Sequence, residues 1–509
     1  MIKRPDDPGQ IFFTSRAELV SGEELVQTID EVVNRLDLTS LYACWSEKGR
    51  SFYDPAMMLK VLFFAYSDGE RHSRDVARKI KYDIRYQYFT GWLRPKYRTI
   101  CRFRTIDVDL LSSYFVQIVA VFNELGLLDT SLLAIDGSKI KASASCRRTL
   151  KRKDLDKLME KYKEILSSDA ACDLSDIGDE GIDDDDDDMD ESPGKAVDNK
   201  DLKSRIRKAM ERLKAGEREV NLTDFDARFM KTSDGGIRPS YNGQIAVDKN
   251  QIIVAVDICT NADDSPSFQP MIAQSMDNVD GAIGKVLVDG GYYSGRNLKY
   301  IERNGFDVYM PMGKGYPEPS GKFHRDDFVY KKETDRYLCP AGEHLSYKCN
   351  RRRNGIVARI YRCSSKICSK CSLLSKCTTS KRKYRELWIS EVYHHELKMK
   401  KKLNTNAGRA IYDRRKVLVE PVFGNMKFNL GFRQFVLRGL KKVKAEFLLM
   451  CIAHNLKKMA QRWSHLKPAM AIKIVLNEGI FLLFSLFGMI LNKLTIRCKN
   501  PNLKFIYAR

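Results

Sequence analysis

Apolar residues recur at helical spacing through residues 17 to 125, most clearly in AELVSGEELVQTIDEVVNRLDL and DPAMMLKVLFFAYSDG, and predict a helical N-terminal segment. Asp54 before Pro55 is a natural start for one of these helices, since an aspartate caps free amides and proline fits the first helical position. The period then changes. LLAIDGSKI reads as a buried strand that runs into Asp136, and SYNGQIAVDKNQIIVAVDIC reads as a hairpin about Lys249 and Asn250. VLVDGGYYS and FDVYMPM read as two more strands, with helical stretches from Phe268 and from Ser294. Strand, hairpin, helix, strand, helix, strand is the order of an α/β protein with helices packed on a mixed sheet.

Two stretches interrupt that order. In residues 147 to 222, Leu155, Leu158, Tyr162 and Ile165, then Leu202, Ile206, Ala209 and Leu213, predict two paired helices around an acidic loop. Residues 315 to 400 form a second interruption, rich in cysteine. A helical tail is expected over 464 to 509. Its longest apolar run, Gly479 to Leu491, has 13 residues, short of the roughly 18 that argue for a membrane span, and reads as a buried helix. The opening MIKRPDDPGQIFFTSRAEL lacks the apolar centre of a secretory signal, so a cytoplasmic, nucleoid-associated protein is expected.

Charge narrows the class of partner. Lys and Arg number 88 against 66 Asp and Glu, a net +22. Residues 173 to 191 hold 12 acidic and no basic residues, which leaves +34 on the rest. From Lys381 to Arg462 there are 21 basic and 6 acidic residues, interleaved with Trp388, Tyr412, Phe423, Phe428, Phe432 and Phe435. Such a surface suits a polyanion, and its contacts with phosphates give affinity without sequence choice. The basic RPKYRTICRFR (94 to 104) adds to this, so residues 1 to 125 are expected to form a helical DNA-binding domain.

Among the 13 cysteines, Cys368, Cys371 and Cys377 have the spacing of a tetrahedral zinc site that needs one more ligand. Cys339 is the first choice for the fourth, Cys363 the substitute, with His344 or Cys349 behind. His394 and His395 read as a surface pair, and Trp388 either packs within the insertion or stacks on an extruded base.

Asp289 repeats the pattern of Asp136: a buried strand meeting Asp-Gly. Two aspartates on neighbouring strands suit a hard cation such as Mg²⁺ (or Mn²⁺), and two-metal phosphoryl transfer asks for a third carboxylate. Glu420 is the candidate. On a continuous helix Tyr412, Lys416, Glu420 and Lys427 share one face. Pro421 predicts that this helix is kinked at Glu420 or begins there.

LLAIDGSKI, VLVDGGYYS and the set Tyr412, Arg415, Glu420 and Lys427 together resemble the DDE transposases of bacterial insertion sequences, in the group with a Tyr-Arg-Glu-Lys signature. GFRQFVLRGLKKVKAEFLLMCIAHNLKKM and KGRSFYDPAMMLKVLFFAYSDG extend the resemblance up to about residue 463. It implies a ribonuclease H-like catalytic domain over 126 to 463, with Asp136, Asp289 and Glu420 as metal-binding catalytic acids. It also implies cleavage and transfer of transposon ends into target DNA by a protein that works as a homodimer on double-stranded DNA. Arg415 lies one residue farther from Glu420 than in that signature, so Arg415 or Lys416 takes the phosphate contact. Lys427 is expected at the cleaved end, and Lys441, Lys442 and Lys444 on flanking backbone. The competing readings are a catalytically decayed DNA-binding regulator and a host nuclease of the same fold.

Overall fold

The computed structural model describes residues 15–44, 52–105, 107–154, 199–232, 234–279, 282–312, 322–353 and 356–462. The helix expected around Leu155 to Ile165, the acidic loop and the 464–509 tail lie outside the described residues.

The N-terminal part is helical, as its period predicts: α1 (Arg16–Leu19), α2 (Glu24–Arg35), α3 (Thr39–Ala43), α4 (Pro55–Ser67), α5 (Ser73–Tyr82), α6 (Ile84–Thr90), α7 (Tyr97–Arg104) and α8 (Val108–Glu124). Asp54 caps α4, its carboxylate accepting from the amides of Ala56 and Met57 at 3.3 and 3.1 Å. Nearly every residue of α4 is buried, so the helix lies inside a layer and not upon one.

The central sheet comprises β1 (Leu132–Lys141), β4 (Arg228–Lys231), β5 (Ile237–Val247), β6 (Ile253–Cys259), β7 (Lys285–Val288) and β8 (Val308–Tyr309), whereas β2 (Thr149–Lys151) and β3 (Glu219–Asn221) form a separate pair. Its order is β4-β5-β1-β7-β8, with β6 also on β5. β5 pairs antiparallel with β1 and β6, while β1, β7 and β8 run parallel. The expected hairpin is therefore present. Its turn is held by buried Asp248, whose carboxylate accepts from the amides of Asp129, Asn250 and Ile252. Two expectations need correction. FDVYMPM supplies only a two-residue strand. Asp136 does not close its strand, because β1 continues to Lys141; β5 pairs with it from Ala134 to Lys141, whereas β7 stops at Val288 beside Ile135.

Helices α9 (Asn199–Lys214), α10 (Phe268–Asn278) and α11 (Gly295–Asn304) follow the predicted positions. The cysteine-rich stretch folds about a small core of its own, Phe328, Tyr337, Leu345, Tyr361, Cys363 and Leu387. Its strands β9 (Val329–Lys331), β10 (Arg336–Leu338), β11 (His344–Arg353), β12 (Ile356–Arg362) and β13 (Glu386–Ser390) make one antiparallel sheet in the order β13-β12-β11-β10-β9. Short α12 (Ser365–Cys368) and α13 (Leu374–Cys377) carry the cysteines, and α14 (Tyr393–Asn404) leads back to the main body.

α15 (Asn406–Gly424) passes straight through Pro421 and ends in a π turn over Asn425–Asn429. Proline removes the amide that Val417 would otherwise bond. The side chain of Gln251 replaces it, donating to the Val417 carbonyl at 2.9 Å. α16 (Leu440–Ala460) is buried almost throughout, against α2, α4, α8 and β6. Gly243 is required there: a Cβ would stand 2.7 Å from Cζ of Phe447. Residues of the N-terminal helices, the sheet and α16 share one continuous core.

A buried polar knot ties these layers. The Glu446 carboxylate, raised in pKa by burial, accepts from the amides of Val436 and Leu437. Arg71 donates to the carbonyls of Gln434 and Gly431, and Arg104 to that of Arg71. Arg104, read from sequence as part of a surface basic patch, is thus a buried strut, while Arg94, Lys96, Arg98 and Arg102 remain exposed. Among the described residues no single helix is long and apolar enough to cross a membrane.

His454 on α16 gives the fold a pH dependence. Burial lowers its pKa to about 4, against roughly 6.5 in an unfolded chain. Between those values the unfolded chain binds a proton that the folded one refuses, so stability falls as pH drops from about 6.5 to 4, by on the order of 3 kcal/mol. Urea unfolding at pH 7 and pH 5 should show about 2 kcal/mol of this loss, and His454→Gln should remove much of it; an unchanged pH dependence in the variant would assign the acid sensitivity elsewhere.

Candidate active site

Parallel pairing of β1 and β7 puts Ile135 opposite Val288, so the next residues, Asp136 and Asp289, stand on adjacent strands. Each carboxylate accepts from the amide of the glycine that follows it. The Asp136 side chain is 19% exposed. Burial pushes its pKa up to about 6 and Asp289 adds to the rise, while the Arg415 guanidinium and the Gly137 amide oppose it.

Helix α15 supplies the opposing charge. Arg415 Nη1 lies 2.9 Å from Asp136 Oδ2, and the arginine is itself buried. Burial works against its charge, yet Asp136, Tyr412 and Asp289 more than offset that and raise its pKa. Lys427 Nζ donates to Ser138 Oγ at 2.6 Å, two residues along β1 from Asp136. Burial lowers the pKa of this lysine, against the pull of Asp234 and Asp136. Tyr412 is half-buried and feels the same charges.

The structure thus brings Asp136, Asp289, Tyr412, Arg415 and Lys427 together. It leaves Lys416 and Glu420 exposed, and Glu420 pairs with no described residue. The expected shared face of Tyr412, Lys416, Glu420 and Lys427 is corrected accordingly: the π turn rotates the chain less per residue than an α-turn, so Lys427 swings toward the Arg415 side. Arg415, not Lys416, is the residue turned inward. Two close carboxylates have the donor chemistry of a site for a hard divalent cation. Among the described residues, however, no three His, Cys, Asp or Glu side chains are arranged to hold a metal ion.

Behind the acids lies a polar layer that sequence reading missed. Asp264 receives Lys139 Nζ at 2.9 Å, Asn242 Nδ2 at 2.7 Å and Gln244 Nε2 at 2.8 Å, and the buried Tyr292 hydroxyl donates to Gln244. This layer explains the glycine that follows Asp136 and crowds Gly291. A Cβ on Gly137 would stand 2.3 Å from Gln244 Nε2 and 2.7 Å from Asp264 Oδ1, and one on Gly291 would stand 3.2 Å from Asp264 Oδ2. The available signal was polar Asn242 and Gln244 in an otherwise apolar strand.

In the insertion, Cys339, Cys363, Cys368, Cys371 and Cys377 all line one small cavity of about 30 Å³. The Cys368 thiol is pushed up to about 12 by burial and by its neighbouring thiols, Cys363 first. His344 is exposed at the start of β11. Trp388 lies on β13 with the Arg351 guanidinium 5.5 Å over its ring, and His394 and His395 stack on each other at 3.6 Å. Lys441, Lys442 and Lys444 occupy the first turns of α16, where Lys441 meets Asp107 at 3.4 Å and Lys444 meets Asp257 at 3.5 Å.

A mixed α/β body with an acidic, cation-lined crevice and a basic flank is the class that fold and site define. Residues 338–460 match the Transposase DDE domain family, and residues 14–105 match the Transposase domain (DUF772) family. The first match takes in α15, Glu420 and Lys427, the second α1 to α7; Asp136 and Asp289 lie between them. No curated protein matches the chain significantly. The two matches support a DNA transposase function, that of an enzyme that cleaves and transfers DNA.

If Lys427 contacts a reacting phosphate, its loss should reduce turnover more than affinity. Lys427→Ala is expected to slow single-turnover cleavage about 100-fold at near-normal binding. Lys442→Ala should weaken binding and flatten its salt dependence by roughly one unit of slope. Equal effects of the two variants on binding, with no extra loss of cleavage for Lys427→Ala, would displace Lys427 from the site.

Proposed function

We propose that this chain is the transposase of an insertion sequence, which binds terminal inverted repeats and catalyses their cleavage and transfer with Asp136, Asp289 and Glu420 as its acids. The observation that carries the reading is the juxtaposition of Asp136 on β1 and Asp289 at the end of parallel β7, with Arg415 of α15 and Lys427 of the π turn beside Asp136 and Ser138. A ribonuclease H-like domain is supported by the sheet, in which β5 runs antiparallel to β1, β4 and β6 while β7 and β8 run parallel to β1, with one acid on β1 and one directly after β7.

Asp136 and Asp289 would hold a divalent cation, Mg²⁺ or Mn²⁺, with Glu420 as the third acid; when bound, such ions polarise the scissile phosphate and activate the attacking hydroxyl. The chain's own groups do the rest. Arg415 keeps Asp136 ionised against its burial and fixes its orientation. Lys427, held at Ser138, presents an ammonium to a phosphate oxygen at the crevice. Lys441, Lys442 and Lys444, with exposed Arg94, Lys96, Arg98 and Arg102, supply flanking backbone contacts. Action on paired ends by a homodimer in the nucleoid completes this reading.

The carboxylates bind ions while the basic surface binds DNA, so Asp136→Asn, Asp289→Asn and Glu420→Gln should each abolish Mg²⁺-dependent cleavage of a terminal-repeat duplex and spare its binding. A variant that cleaves near the wild-type rate would remove its residue from the triad. Retained binding with no cleavage by the wild type would favour the decayed regulator.

The same reading gives the insertion a structural zinc held by Cys368, Cys371 and Cys377 with Cys339 or Cys363. Its support is that these cysteines line one small cavity and that Cys363, Cys377 and Cys339 lie near enough to Cys368 to raise its pKa. Reduced, freshly purified protein should carry about one zinc ion, and Cys371→Ser should lose it and loosen the insertion alone. Metal analysis that finds no zinc would end this assignment.

A further inference from the structure

The insertion sheet and α14 enclose a cavity of about 970 Å³ that the acid site does not use. Its floor is aromatic. Tyr330 and Tyr337 are direct cross-strand partners, as are Tyr347 and Tyr361. Ring centroids lie 4.9 Å apart for Tyr330 and Tyr337, 4.9 Å for Tyr337 and Tyr361, and 6.1 Å for Tyr347 and Tyr361, so four strands contribute to one tyrosine face. Tyr337 and Tyr361 are buried and build the platform, whereas Tyr330 and Tyr347 are 43% and 40% exposed. The Arg359 guanidinium lies 4.9 Å over the Tyr347 ring.

The opposite wall is α14, with Tyr393, His394, Leu397, Lys400, Lys401 and Asn404. Carboxylates near the cavity are already engaged: Asp326 by Lys400 and the Tyr393 hydroxyl, Glu391 by Lys299, Asp335 by Arg359. Exposed Lys401 adds positive charge. A half-open aromatic floor with cationic walls suits bases stacked on rings and phosphates beside ammonium and guanidinium groups. A duplex keeps its bases stacked on one another and offers no free base face to the two exposed tyrosines, which selects a single strand. The volume is near the top of the roughly 300–1,000 Å³ range of small-ligand pockets, room for more than one base.

The groove also connects to the acid site. Tyr293, four residues after Asp289, donates its hydroxyl to Glu396 of α14, and Arg325 holds the same carboxylate at 2.9 Å. The loop after Asp289 is thus bonded to the helix that walls the groove.

We propose that this groove binds a short single-stranded DNA segment, its bases stacked on the exposed faces of Tyr330 and Tyr347 and its phosphates beside Lys401. The proposal rests on the reading that the chain handles DNA near the Asp136 site, and its test needs no cleavage. Full-length protein and labelled dT12 are compared by anisotropy with a duplex of equal length. The double variant Tyr330→Ala, Tyr347→Ala should weaken dT12 binding by on the order of 10- to 100-fold and change duplex binding less than about twofold, and the two Phe substitutions should restore it. Equal losses for dT12 and duplex, or none for dT12, would overturn the groove. Should the Ala variant not fold, wild-type protein cross-linked to an iodouracil-containing single strand decides: labelled peptides from β9 and β11 support the proposal, and labelling confined to other segments refutes it. Asp136→Asn protein should bind dT12 normally, so loss of cleavage and loss of the groove are read separately.

Discussion

The arrangement of this protein depends on two carboxylates forced together by parallel strand pairing. Neighbouring strands lie about 4.8 Å apart, so carboxylates at neighbouring positions disfavour each other's charge. The register of β1 and β7 places exposed Asp289 beside Asp136, whose pKa is raised first by burial and in smaller part by Asp289. Something must offset the repulsion, and Arg415 does so directly. Docking of α15 over the end of the sheet is thus an electrostatic requirement as much as a packing one, and it brings Lys427 to Ser138 by the same movement.

That docking is stable because the elements on either side are rigidly held. α16 fills the space between the helical layer and the sheet, and Asn455 bonds the amide and carbonyl of Ile253 on β6. The segment between α15 and α16 is held by Glu446 from within and by Arg71 from the N-terminal helices. It then continues the β1 edge, with the Phe435 amide donating to the Lys141 carbonyl. The N-terminal helices therefore set the position of the strand that carries Asp136. On the opposite face of β1, Asp264 with Lys139, Asn242 and Gln244 forms a second polar layer that needs glycine at 137 and leaves little room at 291.

The insertion has its own core and joins the main body through α14. Its attachment beside Tyr293 places a separate, tyrosine-floored surface next to the acid crevice. Charge follows the same division of labour. Cations at the acids are few and buried, where each is strongly felt, and the many exposed ones are spread over the flanks, where salt screens each of them.

The sequence by itself determined the local elements and the chemistry on offer. Helical period, the Asp54–Pro55 start, the hairpin about Lys249 and Asn250 and the two Asp-Gly strands were legible because each is set by neighbours a few residues away. So were the basic balance and the clustered cysteines. Tertiary structure alone decided which residues meet. Arg415 turns inward in place of Lys416 because Asp136 meets it, Arg104 is buried on the Arg71 carbonyl, Lys427 is turned by a π turn, and α15 passes through Pro421 with Gln251, a partner 166 residues away, on the Val417 carbonyl. The Asp264 layer and the tyrosine groove join strands far apart in the chain. Such contacts leave no periodic trace, because the residue type at each end is fixed by a partner that only the folded chain brings near.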